Sequence, residues 1–123
     1  MKEIWRTISG YGIYQVSNLG RVKSIARVQG VNGGLREKSE RIRVLSKNEK
    51  GYMQVTLYGA SNVRRTWKIH QLVANAYLPK PKPGQQINHI NLLKHDNRSS
   101  NLQWVSRQEN IDHAVRMDAW KKW

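Results

Sequence analysis

The stretch INHINLLKHDNRSSNLQWVSRQEN, residues 87–110, decides the fold of the second half of the chain. Alternating apolar and polar residues predict a brief strand over 86–89 and another over 101–105, with a polar loop between them. Ser106 followed three residues later by Glu109 is the capping-box pattern that begins a helix. Two strands, a loop and a helix together predict a ββα unit.

The residues ahead of this unit are typical of short strands. Residues 14–17 and 21–25 alternate in polarity on either side of Asn18-Leu19-Gly20, which is turn chemistry. Residues 29–40, QGVNGGLREKSE, are rich in glycine and charge and predict a mobile loop. A second set of strands is expected at residues 41–45, 52–58 and 64–69.

A helix and a stiff linker connect the strands to the ββα unit. The segment IHQLVANAYL, residues 69–78, has a helical pattern that Pro79 ends. We therefore predict an α+β fold, in which a small amino-terminal β-strand module over 1–58 precedes the ββα unit within 59–123.

The charge balance points to a polyanionic partner. Lys and Arg number 22 against 8 acidic residues, which gives a formal net charge of +14. Like charges repel in a compact protein, whereas phosphate groups would neutralise them and release counterions. An anionic membrane fits less well, since no apolar anchor or long basic amphipathic helix is evident. We expect no membrane partner.

The absence of cysteine and the composition of the amino terminus limit the possible metal sites and the expected localisation. The chain has no cysteine, which excludes disulfides and thiolate zinc sites. The segment MKEIWRTISG lacks an apolar core of secretory length. We expect a cytoplasmic protein.

The quoted stretch also carries a set of residues suited to phosphodiester hydrolysis. Asn88 precedes His89, Asn101 lies twelve residues further on, and Asn110 nine beyond that. A neutral imidazole accepts a proton from water near neutral pH, and amide oxygens are hard ligands suited to Mg²⁺ or Mn²⁺. If the helix packs across the two strands, His89 and Asn110 converge.

Four segments of this half resemble the H-N-H, or ββα-metal, nucleases, especially the homing type of phage and introns. Their motifs VHRLVA, VNHIDG, NNRxxNLEWVT and EN are similar to IHQLVA at 69–74, INHIN at 87–91, NRSSNLQWV at 97–105 and EN at 109–110. The resemblance makes His89 the general base, with Asn101 holding the loop that presents its ring. It makes Asn88 and Asn110 the ligands of one divalent ion, Mg²⁺ or Mn²⁺.

The segment EIWRTISGYGIYQVSNLGRVKSI, residues 3–25, resembles the modular DNA-binding element found beside such nucleases. Double-stranded DNA is therefore the expected partner. The basic residues expected to face phosphate lie on strands or next to the ββα unit: Arg21, Lys23, Arg64, Arg65, Lys68, Arg98 and Arg107. For His113 and His70, contact with a phosphate or the metal and simple packing both stay open.

Three hypotheses follow. The leading one is a metal-dependent DNA endonuclease of the homing type that nicks as a monomer and cuts both strands as a homodimer or in two visits. A phage-encoded enzyme of this kind would act in the host cytoplasm. The rival is a catalytically silent nucleic-acid-binding module, which the departures Asn91-Leu92 (for the usual Asp-Gly) and Asp96 (for Asn) favour. A basic ribosome-associated protein is the third.

Overall fold

The protein is an assembly of short antiparallel strands and two helices. A computed structural model describes residues 2–60 and 63–121. Within these ranges the strands are β1 (Trp5–Ile8), β2 (Tyr11–Ser17), β3 (Val22–Ser24), β4 (Arg27–Val31), β5 (Gly34–Lys38), β6 (Arg41–Ile42), β7 (Ser46–Lys47), β8 (Met53–Tyr58), β9 (Arg64–Lys68), β10 (Gln86–His89) and β11 (Leu102–Val105). The helices are α1 (Ile69–Tyr77) and α2 (Arg107–Lys121). The predicted α+β class is confirmed.

The amino-terminal sheet has the strand order β1-β2-β3-β6, with every pair antiparallel. Side chains alternate along it: Tyr14 and Val16 of β2 and Val22 of β3 are buried, and the residues between them are half-buried. One face therefore joins the core, as the alternation in the sequence predicts. Gly20 has a φ of 88° in the turn between β2 and β3, a conformation that glycine adopts without steric strain.

The prediction of a mobile loop over 29–40 is wrong, because β4 and β5 form a two-stranded ribbon there. Asn32 and Gly33 connect the strands with φ values of 47° and 79°. Positive φ at both positions is the requirement of a type I′ hairpin turn, for which Asn-Gly is the preferred pair. Alternation is absent because the ribbon is solvated on both faces, with Leu35 83% exposed.

The second sheet has the order β7-β8-β9 and packs Val55 and Leu57 of β8 into the core. The expected strands at 52–58 and 64–69 are confirmed as the hairpin β8–β9. The expectation that 41–45 belongs with them is wrong, because residues 41 and 42 pair with β3 of the first sheet. The local pattern does not encode that long-range partner.

Helix α1 buries the stripe Ile69, Leu72 and Val73, whose spacing puts the three side chains on one helix face. The backbone N–H of Leu78 closes the helix on the Ala74 carbonyl at 3.0 Å, and Pro79 prevents a further turn. Neither helix in the described part of the chain combines the length and apolar character that crossing a bilayer requires.

Both halves of the chain share one hydrophobic core. Its fully or nearly buried members come from both sheets, α1 and β11: Ile8, Tyr14, Val16, Val22, Val55, Leu57, Ile69, Leu72, Val73 and Leu102. The Tyr77 hydroxyl of α1 donates to the Val16 carbonyl at 2.7 Å and lies 3.0 Å from the Ile4 carbonyl. The division into domains at 1–58 and 59–123 stays a prediction. The core contacts and the Tyr77 hydrogen bond join residues from both of these segments.

Two tryptophans donate their indole N–H groups to polar partners, as is usual for tryptophan packed inside a protein. The Trp67 indole N–H donates to the Tyr11 hydroxyl at 3.0 Å, and the Trp104 indole N–H donates to the Pro79 carbonyl at 2.8 Å. Trp104 thereby ties β11 to the end of α1.

Candidate active site

The hairpin β10–β11 and helix α2 form the predicted ββα unit. The strands pair antiparallel, with His89 opposite Leu102 at the loop end. The capping box is present: the Ser106 N–H donates to Glu109 Oε1 at 2.9 Å, and the Glu109 N–H donates to Ser106 Oγ at 3.0 Å. Helix α2 thus starts at a fixed point beside the hairpin.

His89 lies at the end of β10, 7% exposed, with its ring held by an amide. Its Nε2 is 2.8 Å from Oδ1 of Asn97, a side chain that is itself buried. With the Asn97 amide oxygen facing the ring, this oxygen can only accept, and we therefore assign the proton to Nε2 and the lone pair to Nδ1. The arrangement selects one tautomer and leaves one nitrogen able to accept a proton.

Asn101, 6% exposed, ties down the loop between the strands. Its Oδ1 accepts from the Asn91 N–H at 3.0 Å, and its Nδ2 donates to Asn91 Oδ1 and to the Asp96 carbonyl, each at 2.9 Å. Asn101 therefore anchors the loop, whereas Asn97 contacts the ring. Its contribution to catalysis stays a prediction.

Two of the residues that depart from the family motif, Asn91 and Asp96, are joined with Arg98 in a hydrogen-bond network. Asp96 accepts from Asn91 Nδ2 at 2.7 Å and from Arg98 through both carboxylate oxygens at 2.8 Å. The Arg98 guanidinium lowers the pKa of Asp96 to about 2. Leu92, where relatives usually have glycine, has a φ of 63°, which is strained for a residue with a branched side chain.

Two aromatic rings pack beside His89. The ring of His70, at the start of α1, lies 5.2 Å from that of His89, and the Tyr52 ring lies 5.1 Å from His70 and 6.1 Å from His89. Burial, with His89 and Lys68 nearby, lowers the pKa of His70 to about 4. His70 therefore stays neutral near pH 7, and its Nδ1 is buried without a partner among the described residues.

Asn88 and Asn110 lie on one face of β10. Asn110 Nδ2 donates to Gln86 Oε1 at 3.3 Å, and residues two apart on a strand share a face. His89 projects to the opposite face, toward α1. Within the described residues no hydrogen bond joins Asn88 or Asn110 to His89, so their meeting around one ion stays a prediction.

The donor set fits a hard cation that is held weakly. Asn88 is 3% exposed, and its Nδ2 is buried with no partner among the described residues. The oxygen and nitrogen of an amide are distinguished by their hydrogen bonds. The atom of Asn88 without a partner is therefore compatible with an amide oxygen that faces a cation. No group of three or more His, Cys, Asp or Glu able to hold a metal occurs in the described part of the chain. Neutral amides would therefore carry the site.

His113 also contacts the hairpin: its Nε2 lies 2.8 Å from the Ile90 carbonyl, to which it donates. With the Asn110 bond to Gln86, this contact places α2 across both ends of β10. His113 therefore has a packing partner, and its contact with phosphate or metal stays a prediction.

The predicted DNA-facing basic residues fall into two groups. Arg21, Lys23 and Arg98 form ion pairs with Glu3, Glu40 and Asp96 respectively, and the Lys23 side chain is only 13% exposed. The others form no ion pair with any described residue: Arg64, Arg65, Lys68 and Arg107. No described carboxylate neutralises the charges of this second group.

The sequence analysis missed three side chains near His89. Asn97 stood in the family motif without a role, and its contact with the ring depends on the fold of the loop. Tyr52 directly precedes β8, far from His89 in the sequence, and nothing in the local sequence marks it as a neighbour of that histidine. Lys94 Nζ bonds the Lys50 carbonyl at 2.8 Å and lies 4.9 Å from the Tyr52 ring centre, which puts a positive charge beside the cluster.

A buried histidine at the end of a strand, in a hairpin crossed by a capped helix, defines a ββα nuclease unit of the H-N-H class. Residues 68–111 match the HNH endonuclease family, and residues 3–58 match the NUMOD4 motif. The solved structure described as "DNA binding and cleavage by the HNH homing endonuclease I-HmuI" aligns with a TM-score of 0.76 at 28% identity, over 94% of this chain and 59% of that one.

Curated relatives agree with the structural match. The chain is 37% identical over 118 residues to the uncharacterised HNH endonuclease L247 of Acanthamoeba polyphaga mimivirus, covering 92% of this chain and 26% of that protein. It is 31% identical over 112 residues to DNA endonuclease I-HmuI of Bacillus phage SP01, covering 90% and 57% respectively. The chain is thus homologous to the HNH homing endonucleases, with a NUMOD4 motif ahead of the HNH unit. It spans between a quarter and three fifths of these relatives' length.

Proposed function

We propose that the chain is a metal-dependent DNA endonuclease of the homing type with His89 as its general base. The observation that carries the proposal is the bond between His89 Nε2 and Asn97 Oδ1 at 2.8 Å. A buried ring fixed through one nitrogen offers the other to a water molecule, which is the geometry required of a general base. Homology to I-HmuI, a DNA endonuclease by name, supports the same activity.

The reaction begins when His89 Nδ1 accepts a proton from the water that attacks the scissile phosphorus. The Asn97 amide oxygen stabilises the resulting imidazolium, because a hydrogen bond to a charged donor is stronger than one to a neutral donor. His70 stays neutral beside it and adds no repelling charge, since its pKa is lowered to about 4. The products would be 5′-phosphate and 3′-hydroxyl ends.

Asn88 and Asn110 would hold one Mg²⁺ or Mn²⁺. The ion would stabilise negative charge on the phosphoryl oxygens and the departing oxygen. Because both amides are neutral, DNA phosphates would have to complete the coordination of the ion. Metal affinity in the absence of DNA is accordingly expected to be low.

Double-stranded DNA is the proposed partner. The net charge of +14 favours binding to the backbone, and the free basic residues of β9 and α2 provide phosphate contacts that position the duplex. A single site breaks one strand, so a monomer would nick, and a homodimer or a second visit would be needed to cut both strands.

A plasmid-nicking assay with Mg²⁺ or Mn²⁺ tests the proposal and separates it from a silent binding module. His89→Ala should lower cutting by at least about 100-fold, the lower end of the usual range for general-base catalysis, and leave DNA affinity near that of the unmodified protein. His95→Ala is the matched control, because His95 is an exposed histidine in the loop that follows β10.

Normal cutting by His89→Ala would show that another group is the base. Binding without cutting by the unmodified protein, with either ion, would favour the silent module instead. Mapping the ends of the nicked strand then tests the proposed 5′-phosphate and 3′-hydroxyl products.

A further inference from the structure

The turn at residues 17–20 of the amino-terminal half is held rigidly. Ser17 is fully buried, and its Oγ accepts from the backbone N–H groups of Leu19 at 3.2 Å and Arg21 at 3.1 Å. Asn18 Oδ1 accepts from the Ile4 N–H at 2.8 Å, and its Nδ2 donates to the Lys2 carbonyl at 3.1 Å. Such side-chain bonds to backbone stabilise one turn conformation.

This turn contacts the loop that carries Asn97. The Asn18 carbonyl accepts from the Ser99 N–H at 2.8 Å. A Cβ atom placed on Gly20 would lie 3.1 Å from the Asn97 Cβ and 3.2 Å from its carbonyl oxygen. Gly20 therefore serves two needs at once, since its φ of 88° and the close approach of Asn97 both require the absence of a side chain.

Asn97 in turn is the residue that fixes the His89 ring. A continuous line of contacts runs from the turn to Asn97 and on to His89 Nε2. The contacts at the turn are polar or involve backbone.

We propose that the amino-terminal turn, through Gly20 and Asn18, positions the general base of the HNH unit. Asn97 and the turn are positioning elements, and His89 is the catalytic residue. The inference rests on the proposed function for the reaction that it serves, but the ring geometry is a property of the free protein. The amino-terminal half would then take part in setting the catalytic rate in addition to binding DNA.

Gly20→Ala tests the inference, with Gly10→Ala as its matched control. Both glycines have positive φ, 88° at Gly20 and 83° at Gly10, so alanine strains the backbone similarly at each. A Cβ on Gly10 would meet nothing within 4 Å, whereas one on Gly20 would press against Asn97. Any difference between the variants therefore reports the contact with Asn97.

Three quantities are measured on each variant: the single-turnover nicking rate, DNA affinity, and the tautomer of His89 from long-range ¹H–¹⁵N correlations of its ring. We expect Gly20→Ala to slow nicking about tenfold, since displacing a reacting group by about 1 Å can cost as much as 100-fold. DNA affinity should be unchanged, and the ring should lose its single Nε2-protonated signature. Gly10→Ala should change neither the rate nor the signature.

An unchanged rate and ring signature in Gly20→Ala would overturn the inference, as would equal losses in the two variants. If Gly20→Ala does not fold, Asn18→Ala loosens the turn without adding a side chain at the contact. The same shift of ring signature is then expected, and a signature like that of the unmodified protein would overturn the inference.

A double variant checks that the effect passes through the proposed line of contacts. Asn97→Ala removes the acceptor of the His89 ring proton, so adding Gly20→Ala should slow nicking no further. Additive losses would refute the route through Asn97. The ring signature is read without DNA, so a protein that never cuts DNA would sink the proposed function and still leave this inference testable.

Discussion

At the scale of single residues, Leu92 has a strained backbone conformation in the loop between β10 and β11. Its φ of 63° is in the left-handed region, where a non-glycine residue loses roughly 1–2 kcal/mol. Asn91, on its N-terminal side, is fully engaged by Asn101 and Asp96, so the loop cannot relax around Leu92 without breaking those bonds. The network keeps the shape of the loop in spite of the strain.

Replacing Leu92 by glycine should therefore not destabilise the protein. We expect Leu92→Gly to change the free energy of unfolding by less than about 0.5 kcal/mol, because the release of roughly 1–2 kcal/mol of strain offsets the conformational entropy of glycine and the loss of a half-buried side chain. Leu93→Gly is the control. That residue is 48% exposed and does not have a positive φ, so the substitution should cost about 1 kcal/mol.

Urea unfolding of both variants and of the unmodified protein gives the two differences. Equal losses at positions 92 and 93 would mean that the backbone at Leu92 carries no strain.

At the scale of secondary structure, the start of α2 determines where Asn110 lies. Asn110 is in the first turn and a half of a helix whose amino end is held by the capping box of Ser106 and Glu109. The hydrogen bond from the Ser106 backbone N–H, and after it the bond from the Ser106 side chain, lower the pKa of Glu109 and so favour the charged carboxylate in that position. The cap and the Gln86 contact together fix the register of Asn110 against β10.

Ser106→Ala should lower stability by about 1 kcal/mol, because the Glu109 N–H loses its acceptor at the helix start. Gln108→Ala is the control in the same turn. It removes only the hydrogen bond from Gln108 Nε2 to Asp112 Oδ1 on the exposed helix surface, and such a bond stabilises a helix by about 0.2–0.5 kcal/mol. Thermal unfolding followed by circular dichroism measures both. Similar losses for the two variants would contradict the structural role of the cap.

How far the sequence predicts the structure differs between elements. The ββα unit, α1 and the capping box follow from local periodicity and spacing, which the residues of each segment carry themselves. The β4–β5 ribbon was also local, since Asn32-Gly33 is a hairpin turn, but the absence of a buried face concealed it. The pairing of residues 41 and 42 with β3 and the packing of Tyr52 beside His89 depend on distant partners.

The same distinction applies to the candidate site. The spacing of His89, Asn101 and Asn110 marks the residues, and the fold places them on the expected unit. The partner of the His89 ring proved to be Asn97, four residues before the asparagine that the resemblance favoured. Only the path of the loop around Asn101 decides which amide reaches the ring, and that path is a property of the folded loop.

At the scale of the whole molecule, the charge is distributed unevenly between engaged and free side chains. Arg64 and Arg65 on β9 are exposed, and Arg65 lies 4.0 Å from the Trp67 ring centre, which leaves the guanidinium edge open to phosphate. Arg6 instead donates to the Ala76 carbonyl and stacks over Tyr77 at 4.6 Å. Net charge alone does not distinguish these roles.

The salt dependence of DNA binding separates them. Replacing Arg64 and Arg65 together by glutamine should reduce the slope of log affinity against log salt concentration by about 2, since each phosphate contact contributes about 0.9. Arg6→Gln should leave the slope unchanged. The slope is obtained from binding titrations at several salt concentrations, and an unchanged slope in the double variant would place β9 away from the DNA.

The Tyr77 hydroxyl joins the two halves of the chain, because it donates to the Val16 carbonyl and lies 3.0 Å from the Ile4 carbonyl. If the amino-terminal motif were fused to an unrelated nuclease, these carbonyls would be carried over without the tyrosine hydroxyl that donates to them. Exchange of such modules between enzymes is therefore limited by the contact between the two halves. The recipient enzyme must supply a hydroxyl in the matching position, or the carbonyls of the transferred module lose this hydrogen-bond donor.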